Sequence, residues 1–247
     1  MLSLVRRAVD DYRMIDPGDR IAVGISGGKD SLTLLSVLCA LKRFYPIPFD
    51  IVAITVDIGL PAMDFSPVKA LCEQLGVRYT VVKTEIASII FDVRRESNPC
   101  SLCAKMRRGS LHTAALAEGC NKVALGHHRD DVVETFMMNL MFEGRLGCFS
   151  PKSFLSNTNL TLIRPLLYAE ECDVRSFAER QALPVVTSTC PEDHATERER
   201  MKGVLRELEG SYHHLRERIF HAICKGELDG FTLPRGAGKK KDEVNKS

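Results

Sequence analysis

The chain carries, close to its start, the segment IAVGISGGKDS at residues 21–31. The apolar run from Ile21 to Ile25 predicts a short buried strand, and a helix is predicted from Leu32 to about Arg43. The loop between them contains Ser26, Gly27, Gly28, Lys29, Asp30 and Ser31. Glycines let the backbone approach an anion closely, and a helix N-terminus offers unpaired amides and partial positive charge. The segment therefore predicts an anion-binding loop, with a simple helix-capping turn as the structural alternative.

Strands and helices alternate on both sides of this loop. After it, strands are predicted at residues 51–56, 79–82, 122–125, 161–163 and 183–186, and helices at 66–75, 101–118, 130–141 and 169–180. This alternation predicts an α/β fold with a doubly wound parallel sheet. We expect one α/β domain at 1–190, beginning with a helix at 1–16, and then a helical region at 191–232. Helices are predicted there at 194–209 and 212–224, separated at Gly210, and a basic tail follows at 233–247.

Composition limits the class of protein. The chain has 247 residues, of which 45% are hydrophobic and 27% are charged, as in ordinary globular proteins. The sequence has no apolar run long enough to span a membrane and no secretory signal, so we expect a cytoplasmic protein without a membrane partner. Its nine cysteines are then expected to be reduced, and a disulfide framework is not expected.

A second polar segment, GHHRDD at residues 126–131, follows the predicted strand at 122–125. Open parallel sheets bind ligands at the carboxyl ends of their strands, so this segment is predicted to lie near the glycine loop. Asp130 or Asp131 could hold Mg²⁺ together with Asp30. The structural alternatives are helix-capping roles for the two aspartates and a core position for His127.

A pair of cysteines is spaced for metal binding. Cys100 and Cys103 form a CxxC motif, which can bind one metal or cluster, or act as a redox dithiol. Basic residues accompany this motif and a later segment, at Arg94, Arg95, Lys105, Arg107, Arg108, Arg198, Arg200, Lys202 and Arg206. They predict either solvated helix faces or a basic rim for an RNA backbone.

The loop resembles the SGGxDS loop of the PP-loop (N-type) ATP pyrophosphatases. Together with GHHRDD at 126–131, PCSLCA at 99–104 and IRPL at 163–166, it makes residues 12–224 similar to the tRNA 2-thiocytidine synthetase family. The resemblance implies that ATP is cleaved between its α- and β-phosphates with pyrophosphate held in the loop. It also implies a [4Fe-4S] cluster on Cys100, Cys103 and Cys190. The sequence departs from the family pattern at Ser188 and Pro191.

The resemblance also implies a reaction and its residues. A pyrimidine carbonyl of tRNA, expected to be C2 of cytidine, is adenylated and its oxygen is replaced by sulfur. The catalytic candidates are Lys29, Asp30, Arg107, Asp130 and Asp131. The nucleotide-binding candidates are Ser26, Gly27, Gly28, Lys29, Asp30, Ser31, Gly126 and His127. A cysteine desulfurase or free sulfide would donate sulfur, and a homodimer is left open.

Other interpretations remain open. A zinc site could use Cys100, Cys103, Cys190 and His194. The loop could serve lysidine synthesis or an amidotransferase-type ligase, but neither explains the cysteines. It could also belong to a non-catalytic nucleotide-binding module, against which Asp130 and Asp131 argue. Cys148 competes with Cys190 for the third position, whereas the other cysteines lie on predicted helices or at their ends, several with apolar neighbours, where burial disfavours the thiolate.

Overall fold

The computed structural model of the protein describes residues 1–94, 99–187, 189–190 and 196–234. In these residues the strands are β1 (Asp19–Gly24), β2 (Phe49–Asp57), β3 (Arg78–Lys83), β4 (Lys122–Ala124), β5 (Lys152–Leu155) and β6 (Leu160–Ile163). The helices there are α1 (Leu2–Asp11), α2 (Lys29–Lys42), α3 (Ser66–Leu75), α4 (Ile86–Ser88), α5 (Pro99–Ala117), α6 (Arg129–Glu143), α7 (Glu171–Arg180), α8 (Glu197–Ser211) and α9 (Leu215–Lys225). In this part of the chain, no helix has the length and hydropathy needed to cross a membrane.

The strands form one sheet in the order β3-β2-β1-β4-β6-β5. All neighbouring pairs are parallel except β5 and β6, which are antiparallel. The chain builds outward from β1 through β2 to β3 and then returns to place β4 on the other side of β1. The strand order reverses at the carboxyl ends of β1 and β4, which is where such sheets bind ligands. The predicted doubly wound α/β fold is confirmed.

One edge of the sheet differs from the prediction. The strand predicted at 183–186 is wrong, because the structure has an irregular connection there. Pro184 has no amide hydrogen to donate, and the amide of Val185 bonds locally to the carbonyl of Leu183 at 2.8 Å. The edge beside β6 is instead occupied by β5, a short, half-exposed strand that the sequence pattern did not reveal.

Alternate residues of the central strands enter two different cores. Ile21 and Val23 of β1 lie in the core that α1, α2, α8 and α9 cover. Ala22 between them, with Val52 of β2, faces the core that α5 covers. This period of two is what a sheet with helices on both faces requires.

The terminal helices differ from the predicted ones in their bounds. The first ends at Asp11, before Arg13 adopts a φ of +45°. The break between the last two falls at 212–214 and not at Gly210, because His214 adopts a φ of +60°. Apolar residues of α8 and α9 share the core of α1 and α2, so this region packs directly on the sheet domain. Residues 235–247 of the predicted tail lie outside the described residues.

Candidate functional site

The loop between β1 and α2 folds around its own hydroxyl groups. The Ser31 hydroxyl accepts a hydrogen bond from the amide of Ser26 at 3.2 Å and donates one to the Gly28 carbonyl at 3.0 Å. The Ser26 hydroxyl accepts one from the amide of Gly28 at 3.3 Å. The first turn of a helix leaves backbone amides without intrahelical partners, so the loop ends where an anion is favoured.

Gly27 is required by both conformation and space. Its φ of +88° favours glycine, and a Cβ at this position would lie 2.9 Å from the Cβ of Val186. The amide of Val186 also donates a hydrogen bond to the Gly27 carbonyl at 3.0 Å. The segment that leads to Cys190 is therefore packed against the glycine loop.

Gly126 brings the second polar segment into backbone contact with this loop. A Cβ at Gly126 would lie 3.0 Å from the carbonyl carbon and oxygen of Asp30 and 3.1 Å from the amide nitrogen of Ser31. Backbone atoms cannot move aside as the end of a flexible side chain can. The end of β4 therefore approaches α2 this closely only because residue 126 is glycine.

We expect Gly126→Ala to displace the first turn of α2 and to weaken ATP binding by about tenfold or more, because misplaced binding groups lose much of their effect. The matched control is Gly109→Ala in α5, where an added Cβ meets no atom within 4 Å. It should unfold at the same or a higher temperature, because alanine favours a helix by about 1 kcal/mol over glycine. Calorimetric titration and thermal unfolding measure both effects, and equal ATP affinities in the two variants would contradict the first.

His128 and Asp131 cap the start of α6. The Asp131 carboxylate accepts a hydrogen bond from the amide of His128 at 2.9 Å. The His128 Nδ1 accepts one from the amide of Asp131 at 3.4 Å. The His128 ring is buried, and its Nε2 lies 3.8 Å from the Asp30 carboxylate. The capping role considered for Asp131 is thus the arrangement found, and the cap also connects α6 to Asp30.

Asp130 caps a different helix. Its carboxylate accepts a hydrogen bond at 2.7 Å from the amide of Glu171, which is the first residue of α7. Its other oxygen lies 3.4 Å from the Nε of Arg216 in α9. Asp30, in contrast, has its closest charged partner in the neighbouring Lys29, at 3.0 Å. Among these three aspartates, Asp30 is therefore the one most open to a cation at the loop.

Arg198 is a site residue whose role the sequence did not reveal. Its guanidinium lies 2.9 Å from the Asp131 carboxylate and 3.3 Å from that of Glu134, and it donates a hydrogen bond to the Thr135 hydroxyl at 3.1 Å. The charge pattern predicted a basic rim or a solvated face for Arg198, but the structure turns it inward against α6. Arg200 remains largely exposed and pairs with Glu197.

Glu134 is buried beside this arginine, and burial raises its pKa to about 7. Because the unfolded value is near 4.5, the stability from protonated Glu134 is fully present below that pH and is lost as pH rises to about 7. Between about pH 5 and pH 8, Glu134→Gln should therefore gain about 3 kcal/mol in free energy of unfolding relative to wild type. Urea unfolding measures this, with exposed Glu143→Gln as the control. A parallel pH dependence in wild type and Glu134→Gln would contradict the assignment.

Glu171 is a second residue that sequence analysis missed. Its carboxylate lies 3.1 Å from the Nζ of Lys29 and 3.4 Å from the Nζ of Lys202 in α8. Burial opposes its ionisation, yet the hydrogen bond and charge of Lys29 hold the pKa of Glu171 down to about 2. An acid in the first turn of a helix ordinarily indicates only a favourable interaction with the helix dipole, so no sequence pattern pointed to this contact.

His127 is neutral in this structure. Burial lowers its pKa to about 4, and the Arg164 Nε donates a hydrogen bond to its Nδ1 at 3.3 Å. The Arg164 guanidinium lies 4.8 Å from the centre of the Phe149 ring, which also stacks near His127. The charge of Arg108 in α5 helps lower the pKa of Arg164, after burial, to about 10. The cysteine-bearing helix therefore lies beside the 126–131 segment.

Cys100, Cys103 and Cys190, which are predicted to hold the cluster, lie close enough for their charges to interact. Burial raises the pKa of the Cys103 thiol, and the charges of Cys190 and Cys100 raise it further, whereas Arg107 lowers it. In the described part of the chain, no three His, Cys, Asp or Glu side chains converge closely enough for one metal ion. A cluster of four irons and four sulfides is larger than one ion and needs more widely spaced sulfurs.

The segment carrying Cys190 is fixed to the same edge of the sheet. Besides the Val186–Gly27 bond, the hydroxyl of Thr189 donates to the carbonyl of Pro61, after β2, at 2.9 Å. His194 and Arg95 lie outside the described residues, so the structure says nothing of a fourth ligand at 194.

Cys148 lies in the segment before β5, next to Phe149. Its amide donates to the Asp229 carboxylate at 2.6 Å, and burial raises the pKa of its thiol to about 12. Its thiol neighbour is Cys224, which lies in the core. The thiols of Cys39 and Cys72 likewise have pKa values raised by burial, to about 11 and about 12.

Comparison with known proteins defines the class. A family described as the PP-loop domain matches residues 3–208. The solved U34-tRNA thiolase NcsA from Methanococcus maripaludis, with its [4Fe-4S] cluster, superposes with a TM-score of 0.70 at 26% identity. That comparison covers 89% of this chain and 76% of NcsA. The fold and the loop thus make the chain a PP-loop enzyme, as the resemblance implied.

Two curated relatives narrow the family. The tRNA-cytidine(32) 2-sulfurtransferase of Syntrophotalea carbinolica is 41% identical over 224 residues, which is 90% of this chain and 86% of that protein. The enzyme of the same name from Geobacter metallireducens is 43% identical over 223 residues, covering 89% and 87% of the two chains. This chain belongs to the family of the tRNA-cytidine(32) 2-sulfurtransferases.

Proposed function

We propose that the chain is a tRNA sulfurtransferase that uses ATP to replace the C2 oxygen of a cytidine by sulfur. The proposal rests on one observation, which is that the anion-binding loop, the 126–131 segment and the Cys190 segment meet at the same edge of the sheet. The anion-binding loop contacts the 126–131 segment through Gly126 and the Cys190 segment through Val186. An adenylating site and a sulfur-transferring site need this proximity, because they act in turn on one carbonyl group of the base.

The proposed reaction has two steps. The C2 oxygen attacks the α-phosphorus of ATP, and the bond to pyrophosphate breaks, so that the oxygen carries AMP. Hydrosulfide then attacks C2, and AMP departs with the former carbonyl oxygen. Each sulfur inserted thus converts one ATP into AMP and pyrophosphate, without net oxidation or reduction. Free sulfide supplies the hydrosulfide directly, whereas a cysteine desulfurase supplies sulfur as a persulfide, from which a thiol reductant must release hydrosulfide by a two-electron reduction.

The loop residues serve the first step. Lys29 and the backbone of Ser26, Gly27, Gly28 and Ser31 neutralise the departing pyrophosphate, which is the largest charge that develops. Asp30 fits Mg²⁺, because a hard cation takes one or two carboxylates together with phosphate oxygens and water. Asp130 and Asp131, predicted to be catalytic, act in this proposal as positioning residues, since they hold Glu171, His128 and Arg198.

The donor set fits an iron–sulfur cluster. The charges of Cys100 and Cys190 raise the pKa of Cys103, so the three thiols lie near one another. A shared cationic centre stabilises thiolates that would otherwise repel one another. When bound, a cluster held by three cysteines supplies an iron without a protein ligand, on which hydrosulfide can be held. Arg107, whose charge lowers the pKa of Cys103, binds the activated carbonyl or its phosphate in this proposal.

The reaction of purified protein with tRNA tests the proposal. Anaerobically purified protein is assayed for iron and zinc and then incubated with tRNA, ATP, Mg²⁺ and sulfide. We expect iron, stoichiometric AMP and 2-thiocytidine by nucleoside mass spectrometry, and no product with an ATP analogue that has a methylene group between its α- and β-phosphates. Formation of 2-thiouridine would move the target to uridine, the base of the NcsA comparison. Zinc without iron would support the structural-zinc ligase instead.

A further inference from the structure

One carboxylate at the loop is shared by two lysines from different parts of the fold. Lys29, in the glycine loop, lies 3.1 Å from one oxygen of Glu171. Lys202, near the middle of α8, lies 3.4 Å from the other oxygen. The two ammonium groups therefore face the two oxygens of one planar anion.

Neither lysine is an ordinary surface residue. Their side chains are 25% and 20% exposed, and that of Glu171 is 21% exposed. Burial disfavours the charge of Lys202, but Glu134, Glu171 and Glu199 keep its pKa raised. Partial burial strengthens charge-assisted hydrogen bonds relative to those in open solvent. Lys29, Glu171 and Lys202 therefore form a partly buried cluster of charges beside the glycine loop.

We infer that Lys202 is a second cation for the phosphate chain of the nucleotide, and that Glu171 takes the place of a phosphate until nucleotide binds. This inference rests on the proposed function, because it requires ATP at the loop. Lys29 belongs to the loop motif, so its contact identifies where phosphate oxygens lie. Lys202 pairs with the same carboxylate, so a phosphate that displaces Glu171 would contact both Lys29 and Lys202.

The chemistry favours this exchange. A phosphate group offers several charged oxygens in place of two, and lysine is a flexible point charge with three donors that can follow the anion. Lys202 lies on α8, which follows the Cys190 segment and also carries Arg198. Nucleotide binding would then tie α8 to the loop before tRNA reacts.

The competing explanation is structural, with Lys202 merely tying α8 to α7. The two roles differ in what they predict for ligands without phosphate. A structural tie affects folding and every ligand alike. A phosphate contact affects ATP and pyrophosphate, leaves adenosine unchanged, and is retained when arginine replaces lysine.

The experiment measures binding of ATP, pyrophosphate and adenosine to full-length K202M, K202R, E171Q and wild type, with Mg²⁺ present. Exposed Lys225, in the last turn of α9, provides the control K225M. We expect K202M to bind ATP and pyrophosphate about tenfold or more weakly than wild type, which is the loss of one charge-assisted contact. Adenosine affinity and the unfolding temperature should stay unchanged, and K202R should bind within about threefold of wild type.

E171Q provides a second and opposite expectation. Removing the competing carboxylate should strengthen pyrophosphate binding several-fold, even if K202M fails to fold. Wild-type affinity of K202M for ATP, equal losses for adenosine, or weaker pyrophosphate binding by E171Q would each overturn the inference while leaving the proposed function intact. A wild-type protein that binds neither ATP nor pyrophosphate would overturn the proposed function itself, and this inference with it.

Discussion

Lys29→Met should reduce tRNA thiolation by at least about 100-fold and leave the iron content of the protein unchanged. Lys29 is the loop cation, and its ammonium group is held between Asp30 and Glu171 at 3.0 and 3.1 Å. Without it, the pyrophosphate charge that develops on cleavage of ATP has no side-chain counterion from the loop. The cysteines lie on α5 and after α7, so their geometry does not depend on this side chain.

Mass spectrometry of the tRNA nucleosides and an iron assay separate the two effects. Lys42→Met is the matched control, because Lys42 lies at the other end of the same helix and pairs only with Asp50 among the described residues. It should retain both activity and iron. Asp30→Ala should behave as Lys29→Met does. Loss of iron in the Lys29 variant would show that the loop and the cysteines are not separate in function.

The sequence was sufficient to predict what local pattern controls. The apolar run before the glycines, the two glycines and the helix after them together determine a strand–loop–helix unit. Gly27 and Gly126 are required by a positive φ and by close backbone approach, and the motifs pointed to both. Alternating segments also predicted the sheet correctly, except where Pro184 removes a donor and β5 takes the edge.

The ion pairs around the site were beyond sequence reasoning. Arg198 meets Asp131 across 67 positions of the chain, and Lys202 meets Glu171 across 31. Nothing in a charged helical pattern distinguishes a lysine on a solvated face from one turned inward. Only the packing of α8 on α6 decides which face of that helix is buried.

The second large effect is expected at Cys190, the third proposed ligand of the cluster. Cys190→Ser should lose most of its iron and reduce thiolation by about 100-fold or more, because a hydroxyl does not replace a thiolate as a soft ligand. Cys100 and Cys103 lie on one helical turn and would bind the proposed cluster from one side. Cys190 approaches Cys103 from a separate segment that Val186 and Thr189 tie to the loops after β1 and β2.

Cys148→Ser and Cys172→Ser are the matched controls for this variant. Cys148 is half-buried next to Cys224 and Asp229, and Cys172 is exposed on α7. Burial raises the pKa of the Cys148 thiol to about 12, which disfavours its thiolate. Both serine variants should keep their absorption near ~400 nm, their iron and their activity. If Cys148→Ser lost the iron and Cys190→Ser kept it, the third ligand would lie before β5, beside Phe149 and His127, and the proposed assignment of Cys190 would be wrong.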